Sequence, residues 1–118
     1  MTVSILGTEY SIIKKQYEDE PLFKKRGIDG YCDSFEKQIV YCDMTTCPGW
    51  EDETQQSVAI AEKETIRHEI VHAFLDESGL SASALRLNDA WSKNEELVDW
   101  FALQGVKIYE AWKEAKAL

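Results

Sequence analysis

Apolar and polar residues alternate from Val3 to Leu6 and again from Glu9 to Lys14, the two-residue period of a half-buried strand. Gly7-Thr8 lies between the two runs, and glycine at the first central position predicts a type II′ hairpin turn. Residues 16–28 carry Glu18-Asp19-Glu20-Pro21 and Lys24-Lys25-Arg26-Gly27 without a clear period, which predicts a surface loop with room for one helical turn. Ile28 to Ser34 and Lys37 to Met44 predict a second hairpin, its later strand containing the β-branched and aromatic run Ile39-Val40-Tyr41. The recurrence of Tyr31-Cys32-Asp33 as Tyr41-Cys42-Asp43 is too short for an internal repeat and marks two adjacent strands. Thr45 to Trp50, with Cys47-Pro48-Gly49, reads as a loop leading into helix.

From about Glu53 to Ser78 the period lengthens. Ile66, Ile70, Ala73 and Phe74 fall on one helical stripe, and Gly79 stands where a helix stops. A second helix is expected to begin near Asn88-Asp89 or at Asn94 and to run toward the C-terminus, with Trp91, Val98, Phe101, Ala102, Tyr109 and Trp112 on its core face. Strands first and helices last predict an α+β domain over residues 1–118, in which antiparallel hairpins of three to four strands pack on two helices.

A chain of 118 residues is long enough for one modest core and excludes an elaborate multidomain enzyme. Lysine and arginine number 13 against 22 aspartates and glutamates, a formal charge of −9, so the basic stripe of a nucleic-acid binder is missing. The acidity suits a basic protein partner, but a solvated surface is the simpler account. No run approaches the ~20 apolar residues of a membrane span, and Met1-Thr2-Val3-Ser4 lacks the basic and apolar regions of a secretory signal. A cytoplasmic protein is expected. Cys32, Cys42 and Cys47 form no CxxC pair and are odd in number, as free thiols in a reducing compartment would be.

Within the first helix lies His68-Glu69-Ile70-Val71-His72. At 3.6 residues per turn the two histidines lie about 40° apart and one turn apart, so both rings can reach one metal while Glu69 holds a water beside it. Zinc in a hydrolase takes three protein ligands and keeps an open position, and no third histidine exists in the chain. On the second helix Glu95 and Asp99 fall inside the apolar stripe, whereas Glu96 points about 100° away. A cation would remove the penalty of a carboxylate on a buried face, which makes Glu95 the expected third ligand. Asp99, one turn later, could accept the free ring N–H of a ligating histidine. Asp76 reads as a helix-end residue or such an acceptor, and Glu77, Asp89 and Glu96 as solvated. Trp91, Trp100, Phe101 and Trp112 read as core or partner surface.

Thr65, Ile66, Ile70, Val71, Ala73 and Phe74 around the histidines, together with Asn94, Glu95 and Asp99, resemble the extended HExxH and NExxxD signatures of the gluzincin metallopeptidases. Glu95-x-x-x-Asp99-Trp100-Phe101-Ala102 is similar to the glutamate helix of ImmA/IrrE-type peptidases, and the size to the small SprT-like zincins of phages and mobile elements. The resemblance covers roughly residues 37–104. It implies a zincin-like fold, zinc held by His68, His72 and Glu95, Glu69 as general base, Asp99 as support, and a substrate peptide paired with the strand Lys37–Asp43 at the sheet edge. The larger gluzincins add a group that stabilises the oxyanion; Arg86, Tyr41 or Tyr109 could replace it here.

A cytoplasmic zinc peptidase acting on a specific protein is therefore the expected function. Its rival is a zinc-stabilised, non-catalytic binding or regulatory module of a phage or mobile element, which would need the ligands but not Glu69.

Overall fold

The structure, a computed structural model, describes residues 1–82 and 90–118. Its elements are β1 (Thr2–Ile5), β2 (Thr8–Lys15), α1 (Pro21–Arg26), β3 (Gly30–Asp33), β4 (Gln38–Cys42), α2 (Gln55–Glu77) and α3 (Glu95–Glu114), with 3-10 turns at Tyr17–Asp19, Met44–Thr46 and Trp91–Lys93. This is an α+β fold. No helix among the described residues is long and apolar enough to cross a membrane. All three cysteines are free thiols.

The strands form one sheet in the order β1-β2-β4-β3. Both hairpins are present, β1 with β2 and β3 with β4, but they are joined by a parallel pairing of β2 with β4 that aligns Ile12 with Ile39 and Ile13 with Val40. The sheet is therefore mixed rather than purely antiparallel. β4 is also internal rather than at the edge, and β1 and β3 are the edge strands. The reason lies in β4 itself: consecutive Ile39 and Val40 are both fully buried, a run without alternation that suits a strand covered on both faces.

The first hairpin turn is Leu6-Gly7, not Gly7-Thr8, because Ile5 pairs with Thr8. Leu6 (φ 49°) and Gly7 (φ 88°) are both left-handed, the backbone of a type I′ turn, whose twist matches the strands it joins. Residues 16–28 contain more order than a polar loop. Pro21 starts α1, Gly27 (φ 61°) ends it, and Phe23 is buried in the core. Glu20 is buried as well, accepting hydrogen bonds from the Tyr31 hydroxyl and, at 3.3 Å, from the Lys15 ammonium. The Tyr31 hydroxyl, with Lys15 assisting, holds the Glu20 carboxyl below its ordinary value despite burial.

Helix α2 keeps the expected span. The Thr54 side chain accepts from Ser57 N–H at its start, and Gly79 (φ 83°) follows its end. Two core clusters flank its middle. Val40, Cys42, Phe23, Met44 and Val58 form one, and Ile5, Tyr10, Ile39 and Ala73 the other, drawing on alternate positions of β4 as a strand's two-residue period requires. Of the expected apolar stripe, Ala73 is fully buried, Ile66 and Ile70 are half-buried, and Phe74 is 40% exposed. Beside that stripe an enclosed polar row runs at helical spacing, Glu62, Thr65, Glu69, His72 and Asp76, with Glu69 and His72 buried. Glu77 is not solvated: it accepts from Lys37 (2.5 Å), Tyr10 (2.7 Å) and Thr8 (3.2 Å), tying the helix end to both hairpins. The Lys37 ammonium, then the Tyr10 hydroxyl, draw its carboxyl below the usual value.

Helix α3 starts at the Asn94 cap, whose side chain accepts from Leu97 N–H at 2.9 Å; the alternative start at Asn88-Asp89 lies outside the described residues. Val98 is its one buried residue among those described. Trp91, Phe101, Tyr109 and Trp112, expected in the core, are 65, 45, 49 and 53% exposed. Cover is the missing ingredient: α3 packs mainly on α2 and the Trp91–Lys93 turn, and residues 109–118 are all exposed. The apolar stripe continues where the packing does not.

Candidate metal centre

Residues i and i+4 of α2 project side by side, and the Nε2 atoms of His68 and His72 stand 3.1 Å apart. The first turn of α3 brings Glu95 to them, with Oε2 2.9 Å from His68 Nε2 and Oε1 3.2 Å from His72 Nε2. The expected burial of Glu95 is not found, since its side chain is 66% exposed. It sits at the rim, on the N-terminal turn of α3, where the helix dipole favours a carboxylate. Helical phase put it in the right direction, but the buried-charge argument does not apply.

Both imidazoles are oriented from behind. His68 Nδ1 lies 2.6 Å from Asp99 Oδ1, and His72 Nδ1 lies 2.5 Å from the Ser92 carbonyl oxygen. A carbonyl can only accept, so His72 carries its proton on Nδ1, and the Asp99 carboxylate imposes the same on His68. Each Nε2 then presents a lone pair toward the other and toward a carboxylate. Three such donors within 3.2 Å call for a positive charge between them, a proton or a metal cation. Tetrahedral coordination with bonds of about 2.0–2.1 Å spaces its donors about 3.3 Å apart, which these distances approach.

Glu69 stands beside this trio. It is 6% exposed, its Oε1 is 3.9 Å from His68 Nε2, and the ligand atoms of His68, Glu69 and His72 lie within 4.8 Å of one another, close enough to hold a metal ion. Burial pushes its carboxyl up to about 7; the Glu95 and Asp99 carboxylates add to the rise, and His68 and Lys93 oppose it. A bound cation would favour the ionised form.

The trio opens into a cleft of about 470 Å³ between α2, the start of α3 and the edge strand β3. Gly30 sets the width. A Cβ there would lie 2.5 Å from Thr65 Cγ2 and 2.8 Å from the Val40 carbonyl oxygen, so only glycine lets the strand lie against the helix at Glu69. Gly30→Ala is expected to destabilise the fold by about 1–3 kcal/mol through overpacking. Urea unfolding measures this, and Thr65→Ser, which removes the nearer of the two clashing atoms, should recover part of the loss in a double-mutant cycle. Additive effects would reject the contact.

Cys32, two residues along β3, also lines the cleft. Burial, with Asp76 and Glu69 nearby, pushes its thiol up to about 12, so it remains protonated and is a poor ligand. Asp76 lines the same wall, its Oδ1 buried without a hydrogen-bond partner among the described residues; it touches neither histidine as an acceptor. Glu96 is exposed. Of the groups considered for the oxyanion, neither Tyr41 nor Tyr109 lines the cleft: the Lys14 ammonium sits over the Tyr41 ring, and Tyr109 is half exposed on α3 beside Lys113. Arg86, like Asp89, lies outside the described residues.

Sequence reasoning missed Ser92, Lys93 and Gly30. Any residue type supplies a carbonyl, so Ser92 left no signal. Lys93 adjoins the Asn94-Glu95 motif and could have been weighed for that reason. No protein-family model, curated protein or solved structure matches the chain.

Proposed function

We propose that this chain is a zinc-dependent metallopeptidase. The observation that carries the reading is Glu69, a buried carboxylate held beside the converging donors of His68, His72 and Glu95 but outside the tightest trio. Folding alone would give no reason to bury an acid there. Two nitrogens and one carboxylate oxygen with an open fourth side suit zinc in a hydrolytic site. When bound, zinc would polarise the scissile carbonyl and acidify the attacking water. Glu69 then takes the water's proton and delivers it to the leaving amine nitrogen. Asp99 and the Ser92 carbonyl keep both imidazoles in the tautomer that ligates.

The edge strand supports a peptide substrate. β3 pairs with β4 on one side and borders the cleft on the other, so an extended peptide can add to it by main-chain hydrogen bonds. Substrate pairing thus belongs to Gly30–Asp33 and not to Lys37–Asp43. The resemblance of the two motifs to the gluzincins also supports the peptidase reading, and the cytoplasm is the proposed compartment. A second reading, a non-catalytic protein-binding module, draws support from the exposed Trp100, Phe101, Tyr109 and Trp112 of α3.

The test is elemental analysis joined to cleavage. The purified protein should hold about one zinc per chain, and a chelator should abolish cleavage of a protein substrate until zinc is restored. Zinc binding without cleavage of any captured protein would favour the second reading, and a protein that binds no zinc would remove both.

A further inference from the structure

Amide hydrolysis forms a bond from water oxygen to the carbonyl carbon and drives the carbonyl π pair onto oxygen as a negative charge. The C–N bond then breaks as Glu69 returns the proton to nitrogen. The cleft in which that charge would form is lined by the carboxylates of Glu69, Asp76, Glu95 and Asp99 among others, a field that opposes a new anion unless a cation is placed against it. We propose that Lys93 is the cationic residue that stabilises this oxyanion, an inference that rests on the peptidase reading above.

Among the described residues two cationic side chains line the cleft, Arg26 and Lys93. Arg26 ends α1, ahead of Gly30, whose near neighbour on α2 is Thr65; this is the end of the cleft that precedes the histidines. Lys93 lies at the catalytic end, lining the cleft from the turn between Ser92 and Glu95. Its backbone is fixed by residues that serve the metal donors. Ser92, just before it, receives His72 Nδ1–H on its carbonyl, and Glu95, two residues on, meets both Nε2 atoms. The turn is closed by Lys93 N–H to the Ala90 carbonyl (2.9 Å) and Asn94 N–H to that of Trp91 (3.0 Å). The ammonium makes no ion pair with any described residue, in a chain of 22 acids and 13 bases. A cation anchored at its backbone and uncommitted at its tip is arranged to meet charge that appears during the reaction.

The test needs no natural substrate. Zinc-loaded protein is titrated by calorimetry with inorganic phosphate, a tetrahedral oxyanion, and separately with imidazole, a neutral zinc ligand. Lys93→Gln should weaken phosphate binding by about 10- to 100-fold, the scale of a hydrogen bond to a charged group. Imidazole affinity and zinc content should stay within twofold, Lys93→Arg should keep most of the phosphate affinity, and Arg26→Gln should leave it nearly intact. Unchanged phosphate affinity in Lys93→Gln overturns the proposal. So does a parallel loss of phosphate and imidazole, which would mark a structural role, or an equal loss in Arg26→Gln, which would mark a diffuse field. Failure of the wild-type protein to bind zinc is a separate outcome that removes the peptidase reading and this inference with it.

Discussion

Glu69→Gln is expected to keep its fold and about one zinc per chain while losing turnover by roughly 10²- to 10⁴-fold, the contribution typical of a positioned general base. The carboxamide preserves the volume of a side chain that is 6% exposed, and the tightest donors, His68, His72 and Glu95, are untouched. What disappears is a carboxylate able to accept the water's proton. The measurement compares new protein N-termini generated in a cytoplasmic protein mixture by wild type and by the variant, with basic regulators examined first because the chain carries −9. Cleavage that survives the substitution would sink the mechanism. A general substrate such as casein is a poor readout, because a site specialised for one protein need not accept it.

The second large effect separates a ligand from its neighbour. Glu95→Gln should weaken zinc binding beyond the roughly 10- to 100-fold expected of Asp99→Asn, whereas Glu96→Gln should change it little. Both oxygens of Glu95 lie within 3.2 Å of a histidine Nε2, and Asp99 reaches only the far nitrogen of His68. Glu96 is exposed and outside the cleft. Competition against a chromophoric chelator gives all three affinities. Equal losses at positions 95 and 96 would refute the assignment.

The centre was readable where helical geometry alone fixes neighbours. His68, Glu69 and His72 share one turn and a half of α2, and Glu95 with Asp99 shares one turn of α3, so 3.6-residue periodicity places them before any tertiary contact is known. It fails where placement depends on what another element does. Nothing local encodes the parallel register of β2 with β4, and the strand facing the cleft was accordingly misassigned, although consecutive Ile39 and Val40 signalled an internal strand. The stripe of α3 reads as core along its whole length because a wheel cannot say where the neighbouring element ends. In α2 the polar row from Glu62 to Asp76 is enclosed beside Ile66, Ile70 and Ala73, so burial does not follow apolarity alone. Phe23 was lost inside a charged segment whose Pro21 and Gly27 were in fact helix punctuation. The sequence pattern points one residue past the Leu6-Gly7 turn because leucine is an unusual occupant of a left-handed position.

The two histidines differ in how their supports could be lost. His68 is steered by one side chain, that of Asp99, so a single substitution there releases the ring. His72 is steered by a main-chain oxygen, which every amino acid at position 92 possesses. No point change at that site can delete the acceptor; only a displacement of the turn can move it. Drift in sequence can therefore loosen one half of the centre step by step, while the other half persists until the Trp91–Lys93 turn itself is rebuilt.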